Sequence, residues 1–342
     1  MKNKKLSICD ACIHPGEQAN LALALPELYS CAPLYMPIRV VHGKQEGPCL
    51  LLFALVRGNE LNGFEIINRL INDNEVINEL SGTIITVPIL NVYGLTQQFG
   101  EAPSESAIYD SFPGSEEGSY GERIAYIFTQ EILLKANYCV ELQTGELNHS
   151  ILPQIYCNTD NPETRNLAKN FHVPVMMKLD TQANSMRQTI EELGIPLLVY
   201  EAGEALRFDE NAIQQGLKGI INTMRGLKML PEIEKTQQVK TILSQNQEWI
   251  RSPKSGILHQ KIVLGQIVEK DMNIGHIADP FGKSDDEIIK ANMEGIVVGI
   301  NNHPLIYEGQ TIFKIASFID NERAVATIEQ WEEQQGTTDK VE

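Results

Sequence analysis

Four short segments carry side chains that bind metals, clamp anions or move protons, and each comes at the end of an apolar run. Arg57-Gly-Asn-Glu60-Leu-Asn62-Gly63 directly follows Cys49–Val56, and Asn91 and Gly94 follow Gly82–Leu90. Glu141-Leu-Gln143-Thr-Gly145 ends the run that starts at Tyr138, and Glu201-Ala-Gly203-Glu204 follows Pro196–Tyr200. Carboxylates at such places act as bases or ligands, arginine as an anion clamp, and Asn and Gly as turn formers. Loop and cap chemistry accounts equally well for any one segment alone. Four together point to one shared cleft, because open α/β sheets bind outside the carboxyl ends of their strands. Other signatures are incomplete. Cys9 and Cys12 form a C-x-x-C pair with His14 just beyond, but no second ligand pair follows, so the pair reads as incidental. Gly282-Lys283-Ser284 looks like the end of a P-loop, yet Ile277 stands where its first glycine is required. No G-x-S-x-G elbow and no G-x-G-x-x-G turn occurs.

The elements that must position these residues alternate in type. Met36–His42 reads as the clearest early strand, and Leu50–Val56 as a strand buried on both faces, too short for a helix. Glu60–Ile71 has helical spacing at Leu61, Phe64, Ile67, Leu70 and Ile71. Gly82–Leu90 reads as a strand, Tyr120–Leu134 as a helix, and Tyr138–Leu142, Gln154–Cys157, Val173–Met177 and Pro196–Tyr200 as strands. This rhythm predicts an α/β layer fold with a largely parallel sheet. Near residue 235 the pattern shifts to short β-branched runs punctuated by glycine, such as Lys261–Leu264, Gly295–Ile300 and Thr311–Ile315. The expected organisation is an α/β domain over 1–235, a separate all-β domain over 240–320, and an acidic tail over 321–342.

Composition narrows the partners. The 342 residues carry a formal charge of −17, with 28 Lys and Arg against 45 Asp and Glu. An acidic chain lacks the basic face that nucleic acids and anionic membranes require, so neither is expected as a partner. The apolar run Cys49–Val56 falls far short of the roughly twenty residues of a membrane span. A cytoplasmic location is expected, where the six cysteines would stay reduced.

On these residues the chain resembles the succinylglutamate desuccinylase/aspartoacylase family, zinc hydrolases on a carboxypeptidase-like fold. The family's first strand ends in His-Gly-Asp/Asn-Glu followed by Asn-Gly. Later come an Arg loop, Asp-Leu-Asn-Arg-x-Phe-Pro-Gly, Asp-Leu-His-Thr-Gly, and a Glu-x-Gly after a fourth strand. The matching positions are Gly58, Glu60, Asn62, Gly63, Phe112-Pro113-Gly114, Leu142, Thr144, Gly145, Glu201 and Gly203. The resemblance covers about residues 20 to 320. It implies a mixed, largely parallel sheet flanked by helices, followed by a β domain similar to biotinyl/lipoyl barrels. The turn Ala291-Asn-Met-Glu-Gly295 contains no lysine, so no biotin or lipoyl carrier role is implied.

The resemblance also implies a zinc cofactor and assigns residues to it. The two zinc histidines fall on Arg57 and Gln143, while the carboxylate ligand remains as Glu60. A guanidinium cannot ligate zinc, and an amide oxygen is a poor substitute for imidazole. Two substrate arginines fall on Gly100 and Asp110, and the general base falls on Glu201. Asn62 and Asn91 are assigned to the substrate cleft. Arg57 is expected to replace the metal as a fixed cation bridging Glu60 and Glu201. The resulting reading is a non-catalytic or impaired relative of N-acyl amino acid hydrolases that keeps a small-molecule pocket. The alternative is an amide or ester hydrolase whose rearranged metal site uses Glu60, Glu201 and His149. A third reading is a partner-binding subunit, and a homo-oligomer is compatible with all three.

Overall fold

Residues 3–27, 31–97, 108–233, 240–282 and 285–336 are described by a computed structural model. The strands that position the cleft are β1 (Gln18–Leu25), β2 (Leu34–His42), β3 (Gln45–Ala54), β4 (Ser81–Val87), β5 (Tyr138–Gln143), β6 (His149–Cys157), β7 (Val175–Lys178) and β8 (Leu197–Gly203). From the C-terminal region come β9 (Asn246–Arg251), β10 (Gly295–Asn301) and β11 (Thr311–Ser317). They form one sheet in the order β9-β11-β10-β6-β8-β5-β3-β4-β2-β1, with β7 beside β6. Parallel pairing is concentrated at the centre, in β4-β3-β5-β8, and at β6-β7. The flanking pairs are antiparallel, so the sheet is mixed.

The centre is apolar on both faces because it is covered on both. Leu50, Leu52 and Ala54 of β3 join one core, while Leu51 and Phe53 join the other. Over the first face lie α1 (Leu61–Asn72), α3 (Pro162–Phe171) and α5 (Glu210–Gly226); over the second lie α2 (Tyr120–Glu131) and α4 (Met186–Glu192). Their starts follow from local chemistry. Ser119 and Glu122 form a capping box on α2, Asn161 caps α3 with Pro162 in its first turn, and Asp209 caps α5. Helix α1 lies close against the sheet, since a Cβ on Gly63 would stand 2.8 Å from the Ala54 and Leu142 side chains.

The C-terminal region departs from the expected separation. Strand β10 hydrogen-bonds directly to β6, with Gly299 opposite Ile151 and Asn301 opposite His149, so the main sheet continues into this region. Every residue of Gly295–Asn301 is buried, as suits an interior strand, but a change of hydrophobic period cannot reveal which strand it joins. A second, antiparallel sheet of Gly256–Gln260, Asn273–Ala278, Glu287–Lys290 and Leu305–Ile306 closes over this extension. Leu258, Ile277 and Ile289 pack there against Val297, Phe313 and Ile315. Lys261–Leu264, expected as a strand, is irregular; Ile262 still enters this core. The segment after Asp320 forms α6 (Asn321–Gly336), which buries Ala324, Ile328 and Trp331.

Alternation along β5 puts Val140 and Leu142 under the first helix layer and Cys139 with Glu141 under the second. Glu141 is therefore a fully buried carboxylate facing α4. Arg187 in the first turn of α4 answers it with a fork, Nε to Oε2 at 2.9 Å and a second guanidinium nitrogen to Oε1 at 3.1 Å. Arg187→Met would strand that carboxylate and should cost about 3–5 kcal/mol, the loss seen when one partner of a buried pair is removed. Urea unfolding checks it, and a loss below about 1 kcal/mol would show that the pair is not needed.

Candidate functional site

Strand register assembles the cleft. Val199 lies opposite Glu141, and Glu201 lies opposite both Gln143 of β5 and Gln154 of β6. Glu141, Gln143, Glu201, Gln154 and Tyr156 thus share the sheet face covered by α2 and α4, at the carboxyl ends of β5 and β8. The C-terminal strands add the opposite wall. Trp249 of β9 lies opposite Lys314 of β11, which lies opposite Gly299 of β10. A Cβ on Gly299 would stand 2.9 Å from the Lys314 Cβ and 3.0 Å from the Trp249 ring, so only glycine admits both side chains here. A cavity of about 250 Å³ results, lined by Arg57, Glu146, His149, Glu201, Trp249 and Lys314, with Gly145, Ile151 and Thr311 between them.

Glu201, the expected base, faces this cavity. Its Oε2 accepts from Gln154 Nε2 and from the Tyr156 hydroxyl, both at 2.8 Å. The Tyr156 oxygen in turn accepts from Lys314 Nζ at 3.0 Å and Gln154 Nε2 at 2.9 Å. Burial, with Glu201 adding to it, holds the Tyr156 phenol well above its ordinary pKa, so it stays a donor. Burial also lowers the Lys314 ammonium, and Glu201 opposes this.

Glu60 and Arg57 do not form the expected bridge. Glu60 turns inward, where its Oε2 accepts the Arg57 backbone N–H at 3.2 Å. Its Oε1 is buried with no hydrogen-bond partner among the described residues. The Arg57 side chain leaves in the other direction, onto the cavity wall, and remains exposed. Among the described residues its guanidinium makes no ion pair within 4.0 Å. Burial pushes the Glu60 carboxyl up to about 7, against the lowering influence of the Arg57 charge and its backbone N–H.

The remaining assigned residues are tied elsewhere. Gln143 Nε2 donates to Glu141 Oε1. Asn62 is buried, accepting from the Asp209 N–H at 3.0 Å and donating to the Ala202 carbonyl at 3.4 Å. Asn91 is buried as well, donating to the Val56 carbonyl at 3.2 Å and accepting from the Gly94 N–H at 2.7 Å. Both asparagines therefore fasten chain turns and are not among the residues that line the cavity. Asp110 is exposed in the turn Ile108–Asp110 and is not on the cavity wall; Gly100 lies outside the described residues. Cys9 lies in the turn of a hairpin, Leu6–Ile8 with Ala11–Ile13, and Cys12 in its second strand; burial pushes the Cys9 thiol up to about 11. That direction is the reverse of what a reactive thiolate needs.

As arranged, these residues do not fit the zinc that the family resemblance implies. Position 57 offers a guanidinium without a lone pair, and Gln143, whose Nε2 donates to Glu141, offers only a neutral amide oxygen, a poor zinc ligand. His149 has both ring nitrogens engaged, Nδ1 with the Leu147 carbonyl at 3.0 Å and Nε2 with Thr311 Oγ1 at 3.1 Å. Among the described residues no three His, Cys, Asp or Glu side chains are grouped to hold a metal ion.

Sequence reasoning missed Arg187, Lys314, Tyr156, Gln154 and Trp249. A usable signal existed for Lys314, a charge set within the apolar run Thr311–Ala316, since such residues are seldom buried without a partner. Glu141 carried the same signal within β5. The raised Glu60 carboxyl generates a pH effect with a definite sign. Its folded pKa of about 7 exceeds the ordinary 4.5, so the folded state holds the proton more tightly and loses stability as pH rises between these values. Glu60→Gln should remove that loss, gaining on the order of 3 kcal/mol over the parent between pH 4.5 and pH 8. Urea unfolding across this range reads the change; parallel pH profiles would contradict it.

Comparisons with known proteins follow the same architecture. The sequence model of the succinylglutamate desuccinylase/aspartoacylase catalytic domain matches residues 46–227. The N-alpha-acetyl-L-2,4-diaminobutyric acid deacetylase of Halomonas elongata is 23% identical over 303 residues, covering 84% of this chain and 86% of that protein. Among solved structures, a succinylglutamate desuccinylase/aspartoacylase from Rhodobacter sphaeroides superposes with a TM-score of 0.78 at 20% identity, over 88% of this chain and 96% of that one. The product-bound ectoine utilization protein from Ruegeria pomeroyi gives 0.78 at 20% identity, over 88% and 95%. With its catalytic-domain sequence matched over more than half its length, and with the same fold in these neighbours, the chain belongs to the succinylglutamate desuccinylase/aspartoacylase family.

Proposed function

We propose that this member of an N-acyl amino acid deacylase family binds a small carboxylate-bearing molecule without zinc and is non-catalytic or impaired as a hydrolase. The observation that carries the reading is Arg57, a guanidinium without an ion pair among the described residues, on the cavity wall where the family resemblance places a zinc histidine. A metal in that place would polarise a carbonyl, whereas a guanidinium receives an anion with paired donors. Arg57 and Lys314 supply positive charge and Glu146 and Glu201 negative charge around one volume of about 250 Å³, which suits a molecule of amino-acid size. The relative from Halomonas elongata is named for an acetylated diamino acid, a ligand of that class.

The rearranged metal site of the alternative draws no support from His149, whose ring is held by Leu147 and Thr311. We also propose a cytoplasmic location, in keeping with six free cysteines. Among the described residues no helix is long and apolar enough to cross a membrane.

The test is thermal unfolding with amino acids, N-acetyl amino acids and short carboxylates, each with and without a chelator. A ligand at a hundredfold excess over its Kd stabilises by about 2.7 kcal/mol, a shift of several degrees. The expected result is such a shift, unchanged by chelator, lost in Arg57→Met, and with no acetate released from N-acetyl amino acids. Hydrolysis that needs added zinc and stops with chelator would overturn the reading.

A further inference from the structure

Lys314 is placed unlike a structural lysine. Its amine reaches a cavity from the middle of an apolar strand, with no carboxylate within 4.0 Å among the described residues. Its hydrogen bond there is to the Tyr156 hydroxyl at 3.0 Å, which is joined to Glu201 at 2.8 Å. The Trp249 and Tyr156 rings stand 5.9 and 5.5 Å from Nζ, shielding it from water. Amine, hydroxyl and carboxylate thus form a chain of proton carriers that opens on a volume holding one further cation, Arg57.

We propose that Lys314 is a nucleophile that forms a Schiff base with a small 2-oxo acid, whose carboxylate is received by Arg57. The inference rests on the cavity being a small-molecule site, and it adds the ligand's chemical class and a covalent step. The ammonium first passes a proton through the Tyr156 hydroxyl to Glu201. The amine lone pair then attacks the ketone carbon and the carbonyl π pair moves to oxygen; the nitrogen, now positively charged, passes one proton to that oxygen, giving a neutral carbinolamine. The proton held on Glu201 returns through Tyr156 to the hydroxyl, which leaves as water while the nitrogen lone pair forms the C=N bond. One ammonium and one ketone give one protonated imine and one water, with no oxidant or reductant required. Burial favours the uncharged amine that this attack needs.

Reductive trapping tests the proposal on the full chain. Pyruvate with cyanoborohydride, followed by peptide mapping, should place the reduced adduct on Lys314 in preference to every other lysine. Lactate, which has the carboxylate but no ketone, should give none. Lys314→Arg should abolish the adduct at this site, and Tyr156→Phe should slow its formation about a hundredfold. No adduct, or one spread over exposed lysines, overturns the proposal. If pyruvate and lactate both raise the melting temperature while neither is trapped, the covalent step is wrong and the small-molecule reading of the cavity survives.

Discussion

The structure depends on how the carboxylates at the strand ends are compensated. A buried carboxylate costs several kcal/mol unless it is paired, hydrogen-bonded or neutralised. Each does this separately. Glu141 takes the fork of Arg187 and the amide of Gln143. Glu201 is held by Tyr156 and Gln154, and Glu204 by the Asn148 N–H and the Asn302 amide, with Arg207 at 3.3 Å. Glu60 instead has its carboxyl raised to about 7. Three of the four are thus settled by nearby hydrogen-bond donors or a cation. Among the described residues Arg57 makes no ion pair, and it faces the cavity.

The site is shared between the two halves of the chain. β10 continues the sheet across β6, and this continuity brings Lys314 and Trp249 over the strand ends contributed by the α/β half. Gly299 sits at the junction, against Ile151, Lys314 and Trp249 together. His149, at the start of β6, bonds through Nε2 to Thr311 of β11 and packs edge-on against Trp249 with ring centres 5.2 Å apart. A histidine in the cleft therefore acts as a fastener between strands.

The sequence was legible where periodicity and caps decide. Leu50–Ala54 announces a strand buried on both faces, and it lies at the centre of the sheet. The positions of Arg57, Gln143 and Glu201 at strand ends follow from the same pattern. What could not be read was pairing beyond neighbours: the run Gly295–Ile300 is apolar enough for a strand of either sheet, and nothing local says that it joins β6. Side-chain direction was hidden for the same reason. Glu60 and Arg57 lie three residues apart and were expected to meet, but one turns inward to a backbone N–H while the other turns out. Asn62 and Asn91 have the same polarity whether they face a ligand or a turn, and tertiary contacts alone decided for the turn.

The proposal that this chain's side chains stand in place of the metal is tested most directly by elemental analysis of the purified chain after dialysis against a weak chelator. The account predicts zinc well below one equivalent, with a melting temperature unchanged when zinc is added back. Near-equimolar zinc that survives dialysis, with added zinc raising the melting temperature, would contradict it.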